Sequence, residues 1–257
     1  MLSPWLTSVL LVATLAFAMA GLSACRRQGL LDAESARKCL HVGAGLLALA
    51  LPWLLTHNAA VILTTVMVTG WFITVRMCVR IRLVFGLVLH DTGRVSHGEL
   101  YFTGAVLALL VLVPNDPLLY VVPILIVTLA DTCAALIGTH TREPRFLRGG
   151  QGKTLEGSVA FFAVAAICTY LPALLLANAT PSDALLISVT VALITTVVEA
   201  ASEYGLDNLL VPLAALVSLK VLTSAAPAAV ALHSLTLLGT AAFAFYCLMR
   251  IYRERAY

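Results

Sequence analysis

Charge is scarce in this chain: Asp, Glu, Lys and Arg together make up 11% of its 257 residues, less than half of the roughly 25% usual in soluble domains. A water-facing surface cannot be covered with so little, which excludes an ordinary soluble fold and leaves no room for a separate soluble domain. Close-spaced cysteine pairs are missing as well. The six cysteines fall at 25, 39, 78, 133, 168 and 247, without zinc or redox spacing, and read as packing residues of apolar segments. The histidines show no metal-ligand grouping. A net charge of +3, with the basic residues confined to short connections, argues against nucleic acid as a partner. What the chain has in abundance is apolar surface: 61% hydrophobic residues and a mean hydropathy of +0.99.

A bilayer crossing takes about 20 mostly apolar residues. Apolar runs lie at about 5–24, 40–56, 59–75, 100–113, 118–138, 157–178, 184–202, 208–224 and 228–249, spaced as membrane helices. The expected fold is therefore an all-α, polytopic integral membrane bundle of about nine transmembrane helices, forming a single transmembrane domain. Leu83 to Leu89 is too brief to span and reads as an interfacial piece. Fifteen of the 16 basic residues sit in four clusters: at 26–38, at 76–94, at 142–153 and at the C-terminus. Nine crossings with the N-terminus outside put all four clusters on one side, the cytoplasmic side by the positive-inside rule. Nearly all carboxylates share that face, Asp116 and Asp183 being the outer exceptions. Polar chemistry on one face suits an enzyme with a cytosolic co-substrate better than a transporter, which needs access from both sides.

The densest polar signal is LADTCAALIGTHTREPRFLRGGQGKTLEGS, residues 129–158. An acid inside a membrane helix is costly and marks a functional candidate. Asp131 is followed on one helical face by Ala135 and Gly138, small enough for a neighbouring helix to come close. The loop beyond is rich in Arg and Gly and ends in Gly152, Lys153, Thr154, Leu155 and Glu156. Glycine exposes backbone N–H groups, Lys153 and Arg148 supply charge, and the next helix offers the positive end of its dipole, a combination suited to phosphate. It is not a Walker A loop, because the position of its first glycine holds Leu147 and no strand precedes it.

A second acidic cluster, VEAASEYGLDNLLVP at 198–212, carries Glu199, Glu203, Asp207 and Asn208. Asp207 has the chemistry of a helix cap. Pro212 removes the hydrogen bond normally given to the carbonyl four residues back, that of Asn208. Carboxylates beside such an oxygen suit a hard divalent cation, which also shares ligands with phosphates. Arg37, Lys38 and His41 enter the second run from the same side, and Arg94, His97, Glu99 and Tyr101 the fourth.

These blocks together resemble the polyprenol kinase family, the membrane lipid kinases that include dolichol kinase, phytol kinase and the CTP-dependent diacylglycerol kinases. RKCLHVGAG (37–45), ADTCAALIG with GKTLEGS (130–138 and 152–158) and the 198–212 segment occur in the family's order, over about residues 36–215. Two positions depart from the pattern: Ala130 stands where the family has glycine, and Thr139 follows Gly138 in place of a second glycine. The resemblance implies transfer of the terminal phosphate of a nucleoside triphosphate, commonly CTP, to a lipid alcohol. On that footing Asp131, Lys153 and Glu156 are the expected catalytic residues. Gly152, Thr154, Arg148, Arg37 and Lys38 are expected at the nucleotide, and Asp131, Glu199, Asp207 and Asn208 at Mg2+. The alternatives are a CTP:lipid-phosphate cytidylyltransferase, or an ion-coupled transporter with Asp131, Glu199 and Lys220 as coupling charges.

Overall fold

The computed structural model describes residues 3–55, 58–90, 97–140, 153–224 and 227–254, and among these every regular element is helical. All nine apolar runs fall on helices. Gly152, Arg148 and the arginines at 94, 142 and 145 lie outside the described residues.

One compact unit holds the first six helices together with residues 204–209. These are α1 (Pro4–Arg27), α2 (Ala33–Leu54), α3 (Asn58–Met77), the short α4 (Val79–Phe85) and α5 (Leu87–His90), and α6 (Gly98–Leu112). α3 packs against both α1 and α6, and α1 also packs against α2. Met19, Phe72 and Val75 are buried at its centre, with the Trp71 indole donating to the Met19 sulfur at 3.3 Å. The Thr64 and Ser8 hydroxyls lie 2.7 Å apart, a buried pair joining α3 to α1. The stretch Leu83 to Leu89, too short to span, is divided between α4 and α5 at Gly86.

The other unit takes the remaining helices, with α11 assigned to it from Leu210 onward. They are α7 (Pro117–Leu125), a π-helical turn (Ile126–Ala130), α8 (Asp131–His140), α9 (Leu155–Leu176), α10 (Pro181–Ala201), α11 (Asp207–Ser224) and α12 (Pro227–Glu254). α9 lies against α7, α8 and α10, and α10 against α12. Phe161, Ile124, Ile126 and Val191 are among its fully buried side chains.

Helix starts are set by capping chemistry. Ser3, Asp116 and Thr180 each accept a backbone N–H of the first turn and are each followed by proline at the first helical position, where its missing N–H costs nothing. Hydroxyls inside the spans are satisfied by their own helices, as in Thr169 to Ala165 O and Thr195 to Val191 O, which makes them tolerable in an apolar surrounding.

Among the described residues, six helical stretches are long and apolar enough to cross a membrane: Pro4–Arg27, Ala59–Met77, Pro117–Thr139, Leu155–Leu176, Pro181–Ala201 and Asp207–Ser224. Gly98–Leu112 and Ala229–Phe243 are shorter apolar helices. Large apolar side chains face outward along these stretches, Phe17 at 82% exposure and Leu175 at 77%. So much outward apolar surface is a liability in water and ordinary in lipid.

Candidate functional site

Asp131 begins α8 directly after the π-helical turn. Pro123 lies inside α7 one turn earlier; it cannot give its carbonyl partner a hydrogen bond, and the extra residue of a π turn rotates the helix beyond it. The span that the sequence reads as one uniform helix is therefore interrupted just before its acid. Asp131 itself is buried at 8% exposure.

α9 crosses α8 one to two turns beyond that acid. A Cβ on Gly157 would stand 3.0 Å from the Ala134 carbonyl oxygen, and one on Gly138 would stand 2.9 Å from the Thr154 hydroxyl. The close approach expected of the small-residue face does occur, but Ala134 is the contact, with Ala135 turned partly outward. Thr154 caps α9, its hydroxyl accepting from Gly157 N–H at 3.1 Å. Glu156 lies in the first turn, and its Oε2 is buried with no hydrogen-bond partner among the described residues.

Lys153, just before this cap, donates to Glu199 on the last turn of α10. Glu199 is only 2% exposed, so the ion pair is largely desolvated and each charge depends on the other. After α10 the chain reverses through Tyr204 at φ 56° and Gly205 at φ 86°. Two left-handed residues in succession make a tight turn, and the non-glycine one is strained. The turn brings Asp207 to the start of α11, where its carboxylate accepts the Asn208 N–H at 3.0 Å. The body of α11, from Leu210 onward, belongs to the same unit as α8 and α10.

Asp131, Glu199 and Asp207 each offer a carboxylate oxygen, and these oxygens all lie within 4.8 Å of one another. Two ionised carboxylates at that separation repel by about 3 kcal/mol at an effective dielectric constant of about 20. Three such groups need either a bound proton or added positive charge, and Lys153 supplies one unit. The donor set is all oxygen, as a hard divalent cation requires. Asn208, next to Asp207 and 5% exposed, has a buried Oδ1 with no hydrogen-bond partner among the described residues, a further oxygen of the right chemistry. The residues present therefore fit an Mg2+-type ion.

Of the expected site residues, the structure brings together Asp131, Glu199 and Asp207, with Lys153 on Glu199. Arg37 and Lys38 lie on α2 in the first unit, where Arg37 pairs with Glu34 at 2.6 Å and Lys38 is 2% exposed. Sequence reasoning missed the Lys153–Glu199 pair, the π turn before Asp131 and the left-handed turn at 204–205. Pro123 and Gly205 were the available signals for the last two.

No family model, curated protein or solved structure matches this chain.

Proposed function

We propose that this protein is an integral membrane lipid kinase that moves the terminal phosphate of a nucleoside triphosphate, CTP in the first instance, to the hydroxyl of a membrane lipid alcohol of the polyprenol, phytol or diacylglycerol class. The observation supporting this reading is the convergence of Asp131, Glu199 and Asp207, from separate sequence blocks, beside the cation Lys153. Phosphoryl transfer is catalysed mainly by positioning and by neutralising negative charge, and the site has groups for both. Asp131, Glu199, Asp207 and Asn208 would hold Mg2+, which supplies positive charge against the phosphate oxygens.

The residues of the chain do the rest. Lys153 and the arginines of the 142–148 loop attract the nucleotide's phosphates. The lipid hydroxyl oxygen bonds to the terminal phosphorus as the bond to the nucleoside diphosphate breaks. Asp131 or Glu156 accepts the hydroxyl proton. Nine crossings with the N-terminus outside put this chemistry on the cytoplasmic face, where nucleotide is available.

The test is purified protein with terminally labelled CTP or ATP and a panel of lipid alcohols, with the nucleotide product then identified. Labelled lipid phosphate with release of a nucleoside diphosphate is the expected result. Pyrophosphate release would indicate a cytidylyltransferase, and absence of nucleotide turnover combined with ion-dependent flux would indicate a transporter.

A further inference from the structure

The turn that leads into Asp207 and Asn208 is strained, and residues of the first unit hold it. Residues 204–209 group with α1–α6. Tyr204 has φ 56° and Gly205 φ 86°. Glycine takes such a conformation freely, whereas tyrosine does so at a cost that surrounding contacts must offset. Burial of the Tyr204 side chain is not the source, because that side chain is exposed. The Tyr204 carbonyl, however, accepts a hydrogen bond from the His97 N–H at 3.2 Å.

His97 is the residue that opens α6, and its side chain gives that helix no cap. It is exposed, so contacts and not burial fix its place. The Arg76 guanidinium, on α3, lies 2.9 Å from His97 Nδ1. A guanidinium only donates, so Nδ1 accepts and the proton of the neutral ring sits on Nε2. Arg76 also pairs with Glu99 in the first turn of α6. Both side chains of that pair are mostly shielded from solvent, which spares it much of the screening that weakens surface ion pairs. The planar fork of one arginine thus fastens two residues at the start of α6 to α3. A pair that merely joined α3 to α6 would need neither His97 nor the turn.

The contacts run from Glu99 to Arg76 to His97 to Tyr204, three residues before Asp207. Beyond the turn, the Asn208 N–H reaches back to the Gly205 carbonyl at 3.2 Å and the Leu209 N–H to that of Leu206 at 3.0 Å, so a shift at Tyr204 and Gly205 is passed to the start of α11. We infer that Arg76, Glu99 and His97 are positioning residues, which hold the Tyr204–Gly205 turn in its left-handed form and thereby set Asp207 and Asn208 for a divalent cation. This deepens the kinase reading and rests on its metal site alone.

In the test, Mn2+ is titrated without nucleotide into full-length protein in phosphatidylcholine nanodiscs, with free ion read by electron paramagnetic resonance and backbone hydrogen exchange followed over residues 204–209. His97→Ala removes an exposed side chain and buries no charge, so it should fold as wild type does. Arg76→Met with Glu99→Gln removes the ion pair without stranding either partner. Each should weaken Mn2+ binding about fivefold, the scale of one lost hydrogen bond, and speed exchange at the turn. Asparagine enters the left-handed region more readily than tyrosine, so Tyr204→Asn should restore most of the affinity in both backgrounds. A purely structural pair predicts lower thermal stability with Mn2+ affinity unchanged. That result, or a loss that Tyr204→Asn does not restore, would overturn the inference and leave the metal site standing. Wild-type protein that binds no Mn2+ would overturn the metal site and the inference with it.

Discussion

Asp131 was legible as a candidate because an acid in an apolar run is expensive wherever the chain folds. Its partners were less legible. Lys153 and Glu199 are 46 positions apart, and nothing in either local pattern specifies the other. Asp131→Asn keeps the side chain's shape while removing charge from the carboxylate group. Turnover should fall by at least about tenfold, the scale expected for loss of a metal ligand's charge, with the variant still inserted and folded. Activity within about threefold of wild type would return Asp131 to a helix-end acid pairing. A different kind of single-residue effect is expected at Asp32, which caps α2. The hydroxyl and backbone N–H of Ser35 hold its carboxyl below the ordinary value. A depressed folded-state pKa means that the stabilisation is full above the unfolded value and is lost as pH falls through the folded one. Asp32→Ala should cost about 1 kcal/mol near neutrality and flatten that acid limb, as read from thermal unfolding across the pH range in detergent.

Among the elements, periodicity located each apolar run on a helix because hydrophobic length is a local property. Breaks inside a run are set by hydrogen bonding and packing, so the π turn between α7 and α8 and the crossing of α8 by α9 had only Pro123 and the glycines to announce them. Gly157→Ala tests the crossing. The added methyl would press against the Ala134 backbone at 3.0 Å, which a flexible side chain cannot relieve, so α8 must shift. A loss of about 1–3 kcal/mol is expected from overpacking, with activity falling further than stability because Asp131 moves with α8. Activity unchanged in a destabilised variant would separate the crossing from the site. Pro212 in α11 gives the opposite sign. Pro212→Ala restores an N–H able to bond the Asn208 carbonyl and gains up to about 3 kcal/mol in helix propensity. If that carbonyl serves the cation, activity should drop while stability rises, with partial recovery at high Mg2+. Unchanged Mg2+ dependence would restrict the ligands to side chains.

For the molecule as a whole, the proposed sidedness draws on two features of the sequence. One is the charge distribution, with 15 of 16 basic residues in four connections that fall on one side if nine helices cross with the N-terminus outside. The other is the order of spans within the second unit. Pro117–Thr139, Leu155–Leu176, Pro181–Ala201 and Asp207–Ser224 succeed one another through connections too short to recross a bilayer, so successive spans alternate in direction. If all four cross, Asn115 and Asp183 share one face and the ends near Asp131, Lys153, Glu199 and Asp207 the other, which the proposed nine-crossing topology would make cytoplasmic. In a cysteine-free background, single cysteines at Glu203 and Thr141, the latter outside the described residues, should react with a membrane-impermeant maleimide only when the cytoplasmic face is open. Cysteines at Asn115 and Asp183 should react in sealed, right-side-out vesicles. If Thr141 and Asn115 label from the same side, Pro117–Thr139 does not cross, the alternation fails at its first step, and the carboxylates cannot form a single cytoplasmic site.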